Sequence, residues 1–173
     1  MIITERTIPT SSVLNRQTID AAYFQDSYRA PLGHPGAAMP DIFFAIFGQH
    51  PAWIKALLIV RNKLATWCGL EAPTSAEIMN VGAKTHYAVG DKIGPWPIFA
   101  LTENELIAGR DNKHLDFRLS LLRDDHCGTP SVVVSTICTV HNLAGKIYLF
   151  FIVPFHKWGV KTLIARALAA GRL

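Results

Sequence analysis

The stretch that decides the fold is His114-Leu-Asp-Phe-Arg-Leu-Ser-Leu-Leu122, in which apolar and polar side chains alternate. A β-strand points successive side chains to opposite faces of its sheet, so this period of two predicts a strand with one face against a core. The polar face is expected to be solvated, with its charged side chains exposed or paired. The apolar set is Leu115, Phe117, Leu119 and Leu121, and the polar set is Asp116, Arg118 and Ser120.

The residues that follow predict a second strand and then a long helix. Ser131 to Val140 is rich in β-branched residues and keeps the period of two. After Asn142 the apolar residues recur every three or four positions, which is the helical period. We expect this apolar stripe to face the sheet, in an arrangement that often encloses a ligand cavity. Its members are Leu143, Ile147, Phe150, Phe151, Phe155 and Trp158.

The earlier part of the chain supplies a strand and two helices. Residues 1–22 predict an irregular N-terminal segment with at most a short helix, and Tyr23 to Leu32 predicts the first strand. Asp41 to Phe47 and Ala52 to Cys68 predict helices, because each ends at a glycine and the second begins next to a proline.

Short strands are predicted at Ile98 to Leu101 and at Glu105 to Arg110. The connections between strands after residue 93 are only a few residues long, which excludes parallel crossovers. The pattern therefore predicts an α+β protein with a helix-grip fold. A curved antiparallel sheet would wrap around the long C-terminal helix, with two short helices after the first strand, in a single domain over residues 1–173.

Composition limits the classes of function. Half of the 173 residues are apolar and only 17% are charged, against about 25% in a typical globular protein. This deficit of charge predicts extra apolar surface, such as a lined pocket, a partner interface or a membrane contact. The net charge is +4, but the cations are dispersed, and nucleic-acid binding needs them clustered.

The three cysteines, Cys68, Cys127 and Cys138, have no close spacing. The absence of a CxxC pair argues against a zinc site, and reduced cysteines favour the cytoplasm. The N-terminus lacks the blocks of a signal peptide. The strongest apolar runs are much shorter than the roughly 20 residues that span a bilayer. We therefore predict a cytoplasmic protein without metal or cofactor, for which peripheral membrane contact and homodimerisation are both possible.

Three segments carry a resemblance to a known family: Tyr23-Phe-Gln-Asp-Ser-Tyr-Arg-Ala-Pro-Leu32, His114-Leu-Asp-Phe-Arg118 and Thr139 to His156. They resemble domain-of-unknown-function family 2867, a bacterial family within the START-like, pollen-allergen-like helix-grip superfamily. The resemblance implies the fold and a hydrophobic cavity between sheet and helix. Relatives in the superfamily bind lipids, sterols or polyketides, and a minority catalyse cyclisation or dehydration. The family carries no established catalytic residues, so none can be transferred to this chain.

The first functional hypothesis is a module that binds a small hydrophobic or amphipathic molecule between the sheet and the C-terminal helix. Pro154 lies inside that helix and is expected to kink it away from the sheet. Tyr148 and His156 would supply the polar contacts. The predicted ligand contacts are Phe99, Phe117, Leu119, Tyr148, Phe151, Phe155, His156 and Trp158.

Two other classes of function stay open. A cyclase- or isomerase-like enzyme could use His114, Asp116 or Tyr148 for acid–base chemistry, although a salt bridge on the solvated outer face of the sheet is the favoured explanation of Asp116 and Arg118. An interaction protein could use its apolar helices to dimerise or to dock on a membrane. A metal site would need Asp111, His114, Asp116 and His141, whose spacing does not favour one.

Overall fold

The computed structural model describes residues 3–49, 59, 62–63, 66, 84–126 and 128–173. The predicted helix at 52–68 therefore lies almost wholly outside the described residues, as do Cys68 and Cys127. The described elements, in chain order, are β1 (Thr4–Glu5), α1 (Arg16–Asp20), β2 (Phe24–Pro31), α2 (Met39–Phe47), β3 (Lys92–Ile93), β4 (Trp96–Leu101), β5 (Glu105–Asp111), β6 (Leu115–His126), β7 (Thr129–Val140) and α3 (Leu143–Ala169).

The described strands form one seven-stranded sheet in the order β1-β2-β7-β6-β5-β4-β3. Each neighbouring pair is antiparallel, and the sheet is curved and unclosed. Its centre is the hairpin of β6 and β7, which pair from Leu115↔Val140 to His126↔Thr129. Gly128 turns this hairpin with a φ of +76°, in the left-handed region that glycine enters without strain. The predicted α+β, helix-grip-like fold is confirmed.

The main core lies between one face of the sheet and the helices α2 and α3. Leu119 and Leu121 of β6 are 2% and 0% exposed, as predicted for the apolar face of this strand. Phe117 is half-buried and packs against this core at its edge. The helices contribute mainly branched aliphatic and aromatic side chains. They include Ile42, Phe43 and Ile46 from α2 and Val160, Leu163, Ile164 and Ala167 from α3.

The second face of the sheet is also covered, which differs from the solvated face that was predicted. Ile8, Leu14 and Ile19 of the N-terminal segment pack on Ile107 of β5 and Ile137 of β7. Residues 131–138 are consequently buried without interruption. Among the described residues 3–22, regular structure is limited to β1 and the short helix α1, and the segment packs over this face of the sheet.

A buried carboxylate fixes this cover to the sheet. Glu105 is 1% exposed and accepts hydrogen bonds from the Ser12 hydroxyl (2.6 Å), the Val13 backbone N–H (2.6 Å) and the Ser120 hydroxyl (2.5 Å). A carboxylate taken out of water needs such donors to offset its lost hydration. The polar face of β6 therefore includes Ser120 as a buried contact, not as an exposed one.

The helix α3 runs for 27 residues, about 40 Å, and continues through Pro154 without breaking. Asn142 caps its start, where the side-chain oxygen accepts a hydrogen bond from the Gly145 N–H at 3.2 Å. Gly145 lies against β6, since a Cβ there would be 2.5 Å from the His114 carbonyl oxygen. The long C-terminal helix is confirmed, and its first turn is held tightly on the sheet.

The two glycines of α3 lead to opposite predictions for substitution by alanine. A methyl group at Gly159 would meet nothing within 4 Å, and alanine is a better helix former than glycine. We expect Gly159→Ala to raise the free energy of unfolding by about 0.5–1 kcal/mol, measured by urea denaturation. Gly145→Ala is the matched control and should lower it. Equal effects at both positions would contradict the close contact of the first turn with β6.

Candidate functional site

The predicted ligand contacts do not all lie together. Leu119 and Tyr148 are buried between sheet and helices, Phe117 is half-buried beside them, and the His156 side chain is 21% exposed. Phe99 lies on the other side of the sheet, beneath the Arg118 guanidinium at 3.6 Å from the ring centroid. The remaining three, Phe151, Phe155 and Trp158, are exposed on α3. Ligand binding by these residues stays a prediction, but the residues do not form one continuous lining of a cavity.

An exposed apolar face, which we call the outer stripe, follows the first half of α3. The periodicity of the helix brings its members to one side, over about 22 Å from residue 143 to residue 158. The apolar side chains that were expected to face the sheet therefore face outward. The outer stripe consists of Leu143, Ile147, Phe150, Phe151, Pro154, Phe155 and Trp158, which are all exposed, Phe150 by 75%.

The reason for this orientation is that α3 is apolar on more than one side. Tyr148 and Leu149 pack in a small cluster with Leu115 and Cys138, and the second half of the helix packs in the main core. These contacts fix which side of α3 faces the sheet. The helical period of the sequence identifies the stripe but cannot decide between two apolar faces of the same helix.

Cations line one side of the outer stripe. Lys146 lies over the ring of Tyr23 at 5.8 Å, and Lys157 lies over Phe24 at the same distance. Each ammonium group thus lies over an aromatic face, which attracts a cation. The outer stripe is thus apolar along its middle and positively charged along this edge.

Beyond Trp158, the same side of α3 becomes a shallow groove of about 530 Å³. Small side chains make the depression, and a cation stands on either side of it. Ile3, next to β1, closes it from the N-terminal segment. The lining residues are Ile3, Lys161, Thr162, Ala165, Arg166 and Ala169.

On its inward side, α3 contributes one side chain to a buried polar group that we call the Asp26 cluster. Asp26 and Thr136 are register partners on β2 and β7. His156 Nε2 lies 3.4 Å from Asp26 Oδ2 and 3.2 Å from Thr136 Oγ1. The Tyr28 hydroxyl donates a hydrogen bond to the same Asp26 Oδ2 at 3.0 Å. The cluster therefore ties the middle of α3 to the two strands beneath it.

One carboxylate oxygen of the Asp26 cluster is able to accept a further hydrogen bond. The Asp26 side chain is 1% exposed, and its Oδ1 has no hydrogen-bond partner among the described residues. A buried carboxylate oxygen without a donor is costly, so this position favours a bound hydroxyl, amine or water. A carboxylate that orients an imidazole also has the composition of an acid–base pair.

His156 faces the sheet, as a predicted polar contact should, but Asp26 and Tyr28 were missed. The sequence did contain a signal for these two residues. On β2 an acidic residue stands two positions before an aromatic one, so both side chains point to the inward face. Burial raises the pKa of Tyr28, with the negative charge of Asp26 and the hydrogen bond to it as further causes. The tyrosine accordingly keeps its proton while the protein is folded.

The other polar candidates form pairs at one end of the inner strands β5, β6 and β7. Asp116 lies 3.0 Å from His141 Nε2, and Arg118 pairs with Asp111. This confirms the expectation that Asp116 and Arg118 are paired, although not with each other. Both are on the opposite side of β6 from Leu115, which contacts the cluster of Tyr148. Asp116 and Tyr148 therefore lie on opposite sides of β6.

His114 and the cysteines complete the inventory. His114 Nδ1 lies 3.0 Å from the Asn142 side-chain oxygen at the start of α3. Cys138 is buried and packs as a small apolar side chain in the cluster of Tyr148 and Leu149. Across the described part of the chain, no group of three or more His, Cys, Asp or Glu side chains is placed to hold a metal ion.

The raised pKa of Tyr28 predicts a loss of stability at alkaline pH. The unfolded chain releases this proton near pH 10, whereas the folded state retains it to higher pH. The contribution to stability is therefore complete below pH 10 and declines as the pH rises further. In urea unfolding between pH 8 and 11.5, we expect Tyr28→Phe to show a shallower decline above pH 10 than the unsubstituted protein. Identical slopes would show that Tyr28 is not held protonated by the Asp26 cluster.

Comparison with known proteins identifies a family but no activity. No curated protein and no solved structure matches the chain significantly. A family model described as "Protein of unknown function (DUF2867)" matches residues 18–163, which include β2, the hairpin of β6 and β7 and most of α3. The match confirms the family that the sequence resembles, and the chain belongs to this family of proteins of unknown function.

Proposed function

We propose that this protein docks on an anionic lipid surface through the outer stripe of α3. The observation that carries the proposal is the exposure of neighbouring apolar side chains along four turns of one helix. Soluble proteins seldom leave a continuous apolar patch of this kind in water unless it contacts a partner or a membrane. The outer stripe is rich in aromatic rings, which suit the boundary between headgroups and acyl chains.

Charge favours an anionic surface as the partner. The protein carries a net charge of +4, and Lys146 and Lys157 stand along one edge of the outer stripe. A basic side chain near an anionic leaflet contributes about 1 kcal/mol. The predicted cytoplasmic location would bring the protein to the leaflet in which such lipids are concentrated.

Packing favours a helix that lies on the membrane over one that crosses it. By length and composition α3 could span a bilayer, although a single helix of this kind is weak support for spanning. Its inward residues Val160, Ile164 and Ala167 are at most 7% exposed and belong to the main core. A spanning helix would have to leave that core, whereas interfacial binding uses only the outer stripe.

Substitution in the outer stripe tests this function. Burying a phenylalanine side chain gains about 1.5–3 kcal/mol, so Phe150→Ser and Phe155→Ser should each weaken vesicle binding by roughly tenfold or more. The measurement is co-sedimentation with vesicles of phosphatidylcholine and phosphatidylglycerol. Because both side chains are exposed, the free energy of unfolding should change by less than about 0.5 kcal/mol.

A core variant provides the opposite control. Ile164→Ala should lower the free energy of unfolding by about 2–5 kcal/mol and leave the vesicle affinity of the folded protein unchanged. Full binding by both serine variants, or no binding by the unsubstituted protein, would refute membrane docking. A concentration-dependent mass that the serine variants abolish would instead identify the outer stripe as a homodimer interface.

A buried ligand is the second candidate function, favoured by the unpartnered Oδ1 of Asp26. An amphipathic molecule with a hydroxyl or amine could donate to this oxygen beneath α3, as the wider START-like resemblance implies. A thermal-shift screen of fatty alcohols, sterols and aromatic polyketides tests this idea. Stabilisation should survive Phe150→Ser and disappear in Asp26→Ala. A ligand that stabilises both variants equally would bind elsewhere.

A further inference from the structure

The groove beyond the outer stripe combines small side chains with opposed cations. Ala165 and Ala169 form part of its lining, and Lys161 and Arg166 stand beside them. Arg166 is exposed and has no acidic partner among the residues that the structure describes. A fixed depression with an uncompensated guanidinium is suited to an anion on an apolar stem, because guanidinium matches phosphate oxygens in geometry and charge.

The local balance of charge remains positive when the nearest acid is included. Glu5 lies 3.4 Å from Lys161 Nζ and 3.9 Å from Lys157 Nζ. The one carboxylate is thus shared by two lysines, and Arg166 adds a third cation on the other side of the groove. The Lys161 ammonium group also lies 4.9 Å from the ring centroid of Tyr28 on β2.

The groove and the outer stripe form one continuous surface. Trp158 ends the outer stripe and Lys161 begins the groove, three residues or about 4.5 Å further along α3. We propose that the groove holds the phosphate headgroup of a single anionic phospholipid, whose acyl chains extend along the outer stripe. This inference rests on the proposed membrane docking and assigns a particular headgroup site to it.

The critical experiment fills the groove without changing its charge. Ala165→Leu adds apolar surface to an exposed helix position, so a face that binds membranes only by its hydrophobicity would bind more tightly. A headgroup site would be blocked by the same side chain, and we expect at least fivefold weaker binding to phosphatidylglycerol vesicles. Weaker vesicle binding by Ala165→Leu would indicate a specific headgroup site, whereas tighter binding would indicate general hydrophobic attraction.

A pair of charge variants provides the matched control. Lys146→Gln removes a cation beside the outer stripe but outside the groove, and should weaken binding about fivefold, as loss of one surface charge does. Arg166→Gln removes a cation that also bonds the phosphate, and should weaken binding by about 20-fold or more. Equal losses for the two variants would overturn the headgroup site.

A soluble probe separates this inference from membrane docking itself. Dihexanoyl phosphatidylglycerol below its micellar concentration should bind by calorimetric titration, and binding should be lost in Ala165→Leu. Inorganic phosphate at the same concentration should not compete, because it lacks the apolar stem. If the soluble probe does not bind but the protein still binds vesicles, the headgroup site in the groove is refuted and membrane docking is not. Failure of vesicle binding overturns the docking proposal, and the titration still decides the groove.

Discussion

The twelve-residue pairing of β6 with β7 is the constraint on which the rest of the structure depends. It lies at the centre of the sheet and determines which side chains of each strand face α3. Leu119 and Leu121 are directed into the main core, while Ser120 on the opposite face contacts Glu105. Glu105 in turn holds the N-terminal segment over the second face of the sheet. The β6–β7 hairpin thus contacts or positions the segments that cover both faces of the sheet, the helices on one face and the N-terminal segment on the other.

The helix α3 follows directly from that hairpin and has two roles. Its inward side supplies core residues and places His156 on the Asp26 cluster. Its outward side displays the outer stripe. Aliphatic packing in the second half and the cluster in the middle hold the helix in this rotation. These inward contacts prevent α3 from rotating its outer stripe toward the sheet.

The N-terminal segment links the fold to the proposed site. Pairing of β1 with β2 brings Glu5 to Lys157 and Lys161 and brings Ile3 to the groove. Lys157 and Lys161 are fixed in part by this carboxylate, whereas Arg166 stands on the opposite side of the groove. Two distant parts of the chain therefore shape one surface of α3. This arrangement connects cations, small side chains and aromatic rings along about 40 Å of helix.

The sequence by itself determined the fold class, the family, the strands of the central hairpin and the start of α3 after Asn142. The family was identified by resemblance, whereas the other features depend on local periodicity and capping, which neighbouring residues determine. Only the tertiary structure decided which face of α3 is buried, because Leu149 and Phe150 are equally apolar and differ only in what the sheet places beneath them. The same holds for Asp26 and Glu105, each of which has a partner more than 90 residues away, His156 and Ser12 respectively. Burial depends on contacts between distant segments, so it cannot be predicted from the periodicity of one segment.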